Sequence, residues 1–277
     1  MEDYNSLNEN FNTKLDAWII DIKDKGCKTV IYSLSDINYK LRFDEMINTF
    51  NIPNVCFAMC SFDNETHTYF RERNIPSILL DKTKNNFKQL VCISKFLLTY
   101  VLLQNNFNVF MSEADIFWKV DINKLFEGGK EMLISSHTYS DEVNIGFYKV
   151  ISNENTIKFF KNLVSWIYDR NSGYKELVYG DRFLQKKFCG CADQKIFDCA
   201  LRHCNDVKLK PVGYNFSKES LNKLQSVNLD WEYISCQILM HYPLSFPNNY
   251  KGIHIWSGYS TPENQIKYAQ SLNWHFN

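Results

Sequence analysis

Two carboxylates, Glu113 and Asp115, stand one residue apart directly after a short apolar run over residues 107–111. Such a run is typical of a parallel strand that is buried on both faces. Acid groups at the end of that strand are costly to desolvate unless a cation meets them, and the carboxyl edge of an open parallel sheet is where these folds bind ligands. A hard divalent cation that bridges substrate phosphates satisfies both conditions. An ordinary polar turn is the alternative, because acid-x-acid pairs also occur by chance.

The preceding part of the chain predicts the sheet that would position this pair. Its apolar patterns predict strands that alternate with helices, an order typical of a parallel sheet wrapped by helices. The strands are predicted at residues 29–34, 55–60 and 75–80, ahead of the run over 107–111. The helices are predicted at about 2–24, 41–50 and 87–103, and Gly26 is the predicted stop of the first one.

The following part predicts further strands and helices around one long polar segment. Residues 144–150 alternate in part, which predicts an antiparallel partner or a sheet edge. Short strands are predicted at residues 132–135, 207–209, 238–240 and 252–256. Helices are predicted at residues 154–168, from Asp193 onwards and at 262–272. Segment 169–191 is predicted to be a mobile loop over a site, acting as a lid or an acceptor-binding loop.

The composition narrows the functional classes. Lys and Arg together number 31, as do Asp and Glu, so the chain has no basic excess of the kind that favours nucleic-acid binding. No apolar stretch reaches the ~20 residues of a membrane span, and the acidic start of the chain has no signal-peptide core. With 277 residues we expect one domain over 1–277, with an amino-terminal helix in residues 1–26 packed on it.

The nine cysteines lack the regular spacing of a disulfide framework, which predicts reduced thiols and a cytoplasmic location. Four of them crowd together in the sequence, namely Cys189, Cys191, Cys199 and Cys204. They lack the paired Cys-x-x-Cys spacing of structural zinc sites. We therefore expect free thiols there rather than zinc.

Four landmarks in the later part of the chain occur in one order. They are Lys95 with Ser-Glu-Ala-Asp-Ile-Phe-Trp at 112–118, Asn-Ile-Gly-Phe at 144–147, Asp193-Gln194, and His254 with Gly258, Lys267 and Trp274. On these landmarks the chain resembles the nucleotide-diphospho-sugar transferase family, which includes plant arabinosyl- and xylosyltransferases of the cell wall. The resemblance runs from about Lys95 to Trp274, roughly two thirds of the chain.

The resemblance implies a fold and an activity. The fold would be a single Rossmann-like α/β domain of the glycosyltransferase A type, with a mostly parallel central sheet flanked by helices. The activity would be that of a metal-dependent hexosyl- or pentosyltransferase with Mn²⁺ or Mg²⁺ as cofactor. It would move a sugar from a nucleotide diphosphate sugar, a UDP-sugar in our interpretation, to a hydroxyl of a glycan, a protein or a small molecule, with retention of configuration. A non-catalytic relative that binds nucleotide sugar or glycan is the alternative.

The family's landmarks also imply roles for individual residues. The metal would be held by Asp115 first, with Glu113 and His254 as further ligands. The nucleotide and its diphosphate are assigned to the landmark residues Lys95, Gly258 and Lys267. Tyr32 and Ser33 of the first predicted strand, which are not landmarks, are assigned to the same role. The sugar and the reacting face are assigned to Asn144, Asp193 and Gln194. Glu113 stands where the family usually has aspartate, and we expect Glu113→Asp to be tolerated.

Each assignment has an ordinary alternative. Asn144 could simply lie in a turn, and Asp193 could cap its helix. His241 competes with His254, because a lone histidine is usually a structural residue, and only the resemblance prefers His254.

Overall fold

The computed structural model describes nine stretches of the chain, namely residues 2–49, 54–80, 87–118, 129–136, 143–168, 192–205, 218–234, 239–241 and 252–254. It also describes Thr261, Glu263, Asn264 and Lys267. Its helices are α1 (Glu2–Lys23), α2 (Lys40–Thr49), α3 (Asn64–Glu72), α4 (Phe87–Gln104), α5 (Glu154–Tyr168), α6 (Ala192–Cys204) and α7 (Lys218–Leu221). Its strands are β1 (Thr29–Ser35), β2 (Val55–Ser61), β3 (Ser77–Leu79), β4 (Asn108–Ser112), β5 (Ile116–Trp118), β6 (Met132–Ser136), β7 (Val143–Val150), β8 (Trp231–Ile234), β9 (Leu239–His241) and β10 (Gly252–His254).

Seven strands form the central sheet, in the order β3-β2-β1-β4-β7-β6-β8. The first four run parallel to one another. Strand β7 is antiparallel to both β4 and β6, and β6 is parallel to β8, so β7 alone runs against the other six. The predicted α/β fold with a mostly parallel central sheet flanked by helices is confirmed. Residues 144–150 lie in an antiparallel strand as predicted, but that strand is internal and not a sheet edge.

Alternate residues of the central strands pack into two separate cores, as expected of strands buried on both faces. On β1, Val30 and Tyr32 join a core built with α1, α4, α5 and α6. Ile31 between them joins a second core built with α2, α3 and β5. The sheet is therefore the middle of three layers, and α2 and α4 lie on opposite faces of it.

Helix α1 covers the outer edge of the sheet. The indole Nε1 of Trp18 donates a hydrogen bond to the carbonyl of Pro76 at 3.3 Å, and Lys14 Nζ donates to the carbonyl of Leu79 at 3.3 Å. These contacts cover edge strand β3, which would otherwise expose backbone groups for pairing. Gly26 follows the helix with φ of +69°, the left-handed conformation that commonly ends a helix.

Four short elements were not predicted, namely α3, α7, β5 and β8. Helix α3 buries only Thr66 and Phe70, so it lacks a strong apolar period, and its clearest signal is Asp63, which caps it by accepting from the N–H of Thr66. Strands β5 and β8 have three and four residues, too few for a periodic signal. Segment 169–191, the predicted strand at 207–209 and most of the predicted helix at 262–272 lie outside the described residues.

The prediction that all cysteines are reduced is wrong for one pair. Cys27 and Cys56 form a disulfide with a Cα–Cα distance of 5.9 Å, although 29 positions separate them in sequence. The cause lies in the sheet, because β1 pairs in parallel with β2 and thereby places the start of one strand beside the start of the other. Cys199 and Cys204 are buried free thiols, whereas Cys189 and Cys191 lie outside the described residues.

Within the part of the chain that the structure describes, no helix has the length and apolarity needed to cross a membrane.

Candidate functional site

Acidic side chains gather where the parallel strands end. Asp36 follows β1, and Glu113 and Asp115 follow β4, which pairs with β1 in parallel register. The carboxyl ends of both strands therefore lie at one edge of the sheet, the usual ligand-binding edge of this architecture. Asp36 and Asp115 are buried despite their charge. Buried carboxylates require compensating cations or hydrogen-bond donors.

Lys95 is the first of two buried cations at this edge. Its ammonium lies 2.5 Å from Glu113 Oε1 and 2.8 Å from Asp193 Oδ2, and the residue is 4% exposed. Burial by itself lowers the pKa of Lys95, but the two carboxylates outweigh burial and raise the pKa above its usual range. Lys95 is therefore positively charged and held between acids from two different elements. The sequence had assigned it to the diphosphate instead.

Three buried hydroxyls hold the backbone beneath Lys95. Its carbonyl accepts hydrogen bonds from the hydroxyls of Tyr32, of Thr99 at 2.9 Å and of Tyr148 at 3.2 Å. Burial raises the pKa of Tyr32, and it raises the pKa of Tyr148 to about 12, so both phenols stay neutral at ordinary pH. The structure thus places Tyr32 in the core under α4, with no exposed surface, and Ser33 is equally buried. Tyr32 has a supporting position here, which differs from the predicted contact with the nucleotide.

Arg42 is the second buried cation. Its Nη1 lies 3.7 Å from Asp115 Oδ2, and the residue is 2% exposed. Burial lowers the pKa of Arg42, while Asp115, Glu113 and Asp36 act in the opposite direction. The guanidinium also lies 4.1 Å from the centre of the Tyr39 ring, and that ring is partly exposed at the end of β1.

Arg42 and Tyr39 were not predicted from the sequence as site residues. Arg42 fell inside a predicted amphipathic helix, where an arginine is normally on the solvent-exposed face. The available signal was positional, because Asp36 and Tyr39 lie in the turn that leaves the first strand and Arg42 lies in the first turn of the helix that follows it. In this architecture that turn lies at the ligand-binding edge.

The side chain of Asn144 holds the backbone that lies next to Glu113. Asn144 lies in β7 and not in a turn, and its Oδ1 accepts the N–H of Gly146 at 2.8 Å. The carbonyl of Gly146 in turn accepts the N–H of Glu113 at 2.7 Å. Asn144 thereby fixes the chain beside the acidic pair. Its predicted contact with a sugar hydroxyl stays a prediction.

Asp193 joins a helix end to Lys95. It is the second residue of α6, and its Oδ1 accepts the N–H of Gln194 at 3.0 Å while Oδ2 accepts from Lys95. The contact with Lys95 goes beyond the capping role considered as the ordinary alternative. Gln194 is half-buried beside it.

The small second sheet brings the carboxyl-terminal part of the chain to the same edge. Strand β10 pairs with β5 so that His254 is opposite Ile116, the residue next to Asp115. On its other side β10 pairs with β9, and His254 is in register with His241. The two histidines are therefore neighbours in the sheet. Lys267 is exposed, and Gly258 lies outside the described residues.

The donor set at this edge suits a hard divalent cation. Among the described side chains, the carboxylates of Asp36, Glu113, Asp115 and Asp193 outnumber the two cations, Lys95 and Arg42. Carboxylate oxygens are the ligands that Mg²⁺ and Mn²⁺ prefer. No group of three or more His, Cys, Asp or Glu side chains in the described part of the chain forms a complete metal site. Mg²⁺ commonly needs only one or two carboxylates when substrate phosphates supply the remaining ligands.

Comparison with known families finds the nucleotide-diphospho-sugar transferase family, which matches residues 56–242. The match starts earlier than the resemblance in the sequence and ends before His254. It covers more than half of the chain and confirms that resemblance. No curated protein matches the chain.

Among solved structures, the chain is similar to the apo-form glycosyltransferase GlyE of Streptococcus pneumoniae TIGR4, with 12% identity and a TM-score of 0.47. That similarity covers 88% of this chain but 60% of GlyE. A glycosyltransferase involved in glycosylation of the major capsid of PBCV-1 has 7% identity and a TM-score of 0.45, over 88% of this chain and 99% of that one.

Proposed function

The chain belongs to the nucleotide-diphospho-sugar transferase family, and from this premise we propose that it transfers a sugar from a nucleotide diphosphate sugar to a hydroxyl acceptor with the help of a divalent cation. The observation that carries the proposal is the acidic edge beyond β1 and β4, where buried carboxylates outnumber buried cations among the described residues. A ligand that brings a divalent cation together with a diphosphate fits this excess of acid.

Asp115 and His254 would hold the cation. Asp115 is buried beside Arg42, and the pairing of β5 with β10 brings the backbone of His254 next to it. When bound, a Mn²⁺ or Mg²⁺ ion would act as a Lewis acid that offsets charge on the diphosphate leaving group. Arg42 is a buried cation on the same side and would add to the positive potential around the phosphates.

The nucleoside would lie over the turn after β1. The ring of Tyr39 is 38% exposed there and carries the Arg42 guanidinium against it at 4.1 Å. A partly exposed aromatic ring offers a stacking surface for a base, and its position next to Arg42 would place the base close to the phosphates. A uridine base is our choice of nucleoside, in line with the family resemblance.

The sugar would lie between β7 and α6. Asn144 and Asp193 are polar side chains from these two elements, both are buried, and Gln194 follows Asp193 in the first turn of α6. We propose that these residues bind and orient the sugar hydroxyls, while Gly258 and Lys267 contribute to the diphosphate. Retention of configuration remains part of the same proposal, whereas the Cys27–Cys56 disulfide removes the reduced-thiol argument for a cytoplasmic location.

Calorimetry of UDP binding with and without Mn²⁺ tests the proposal. We expect the unaltered protein to bind UDP more tightly with Mn²⁺, and Asp115→Asn to lose this dependence while keeping its fold. Asp230→Asn is the matched control, because Asp230 is an exposed acid that pairs with Lys130 at 2.6 Å. Equal UDP affinity with Mn²⁺ and with a chelator in the unaltered protein would contradict a metal-dependent donor site.

A further inference from the structure

We infer that Glu113 is a positioning residue that acts through Lys95 and Asp193, and that it is not a metal ligand. The inference rests on the proposed function, since it concerns how the donor site is arranged. It separates the two acids of the Glu113-Ala-Asp115 motif into different roles. Asp115 alone of this pair would then contact the cation.

The two acids form ion pairs with helices that pack on opposite faces of the sheet. Glu113 pairs with Lys95 of α4, whereas Asp115 pairs with Arg42 of α2. Helices α4 and α2 pack on different faces and contribute to separate cores. For both carboxylates to bind one ion, Glu113 would have to leave a contact of 2.5 Å to the Lys95 ammonium. Breaking that contact would leave the buried ammonium of Lys95 with one carboxylate partner fewer.

Lys95 needs both of its acids for electrostatic reasons. Its side chain is 5% exposed, and burial acts to lower its pKa, so the ammonium is stable only because of the carboxylates around it. Asp193 is also buried, with a side-chain exposure of 9%. Lys95 thus connects the residue after β4 to the first turn of α6. Any displacement of Glu113 would be transmitted through Lys95 to Asp193.

The length of Glu113 explains the departure from the family's usual aspartate. The backbone at this position is fixed, because the N–H of Glu113 donates to the carbonyl of Gly146 at 2.7 Å. An aspartate there would draw the carboxylate back by one carbon–carbon bond, about 1.5 Å. The contact of 2.5 Å to Lys95 would then open to a separation at the outer limit of an ion pair. We therefore replace the expectation that Glu113→Asp is tolerated.

The first test measures Mn²⁺ affinity by electron paramagnetic resonance of the free ion, in the presence of UDP and without turnover. We expect Glu113→Gln and Glu113→Asp to keep the Mn²⁺ affinity within about 2-fold, and Asp115→Asn to weaken it by more than about 10-fold, the usual range for loss of a ligand or its support. An equal loss in the Glu113 and Asp115 variants would overturn the inference. A loss in neither would contradict the metal site itself, so the two failures are distinguishable.

The second test measures coupling in steady-state turnover of the sugar nucleotide. Glu113→Gln and Lys95→Met should each lower kcat/KM, and the double variant should be no worse than Lys95→Met alone, because both changes break the same connection. Glu65→Gln is the matched control, since Glu65 pairs with Lys40 at 3.1 Å on the surface, and we expect it to have no effect. Additive losses in the double variant would show that Glu113 acts independently of Lys95.

Discussion

Arg42 offers the sharpest test of the electrostatics of the site. Its side chain is 2% exposed, and its Nη1 lies 3.7 Å from Asp115. At an effective dielectric constant of about 20, two unit charges at this distance attract by roughly 4 kcal/mol, and removing one partner of a buried pair costs about 3–5 kcal/mol. Because 3.7 Å is long for an ion pair, we expect Arg42→Met to lower the free energy of unfolding by about 3 kcal/mol.

Urea denaturation monitored by circular dichroism measures this loss, with a surface arginine as control. Arg71 pairs with Asp21, and its side chain is 47% exposed. Exposed pairs of this kind contribute about 0–1 kcal/mol, so Arg71→Met should change stability little. A loss of less than about 1 kcal/mol in Arg42→Met, equal to the control, would refute the reasoning that Arg42 neutralises buried acid.

The same variant should also respond more strongly to the cation. A ligand at about 100 times its Kd stabilises a protein by roughly 2.7 kcal/mol, and tighter binding raises this figure at the same ligand concentration. At one concentration of Mn²⁺ and without UDP, we expect a larger increase in Arg42→Met than in the unaltered protein, because the cation takes over the neutralisation of Asp115 and no diphosphate is present for Arg42 to attract. Equal stabilisation of both proteins would show that Arg42 and the cation do not act on the same carboxylate.

Three further predictions concern the scaffold. Asp63→Ala should lower stability by about 1–2 kcal/mol in urea denaturation, because Asp63 caps α3. Asp63→Asn should retain only part of this contribution, because the second carboxylate oxygen of Asp63 accepts the N–H of Ile37 at 2.9 Å and an amide nitrogen cannot. Reduction of the Cys27–Cys56 disulfide, which spans 29 positions, should cost about 3–4 kcal/mol, and a Cys27→Ala/Cys56→Ala variant should no longer respond to reductant. Burial raises the pKa of Cys199 and of Cys204 to about 12 from an ordinary value near 9, so the folded state retains more protons than the unfolded state between these values. Stability should therefore fall as pH rises from 9 toward 12, and less steeply in a double alanine variant of these cysteines.

Most strands of the sheet could be predicted because each carries its own signal, whereas β8 has only four residues and carries none. In β1, the alternation of Val30, Ile31 and Tyr32 between two cores requires apolar residues at every position, which gives the continuous run seen in the sequence. The parallel direction of the first strands could then be predicted, because a helix is predicted between consecutive strands. The internal place of β7 could not be predicted, because pairing partners are set by the fold and not by the residues of one strand.

The candidate site was predictable in position but not in pairing. The acids at the end of β4 stood out because they interrupt an apolar run. Their ion pairs with Arg42 and Lys95 could not be predicted, since both cations are separated from the acids in sequence and each belongs to a helix of a different layer. The same limit applies to the disulfide, whose cysteines meet only because β1 and β2 are neighbours.

Release of nucleoside diphosphate from a panel of nucleotide sugars, with Mn²⁺ and with a chelator, tests the central claim most directly. We expect slow hydrolysis of at least one UDP-sugar, which requires the cation and is lost in Asp115→Asn. Release that persists unchanged with chelator would contradict a metal-dependent transferase. No release of any nucleoside diphosphate despite Mn²⁺-dependent UDP binding would also contradict it, and would favour a non-catalytic binding protein.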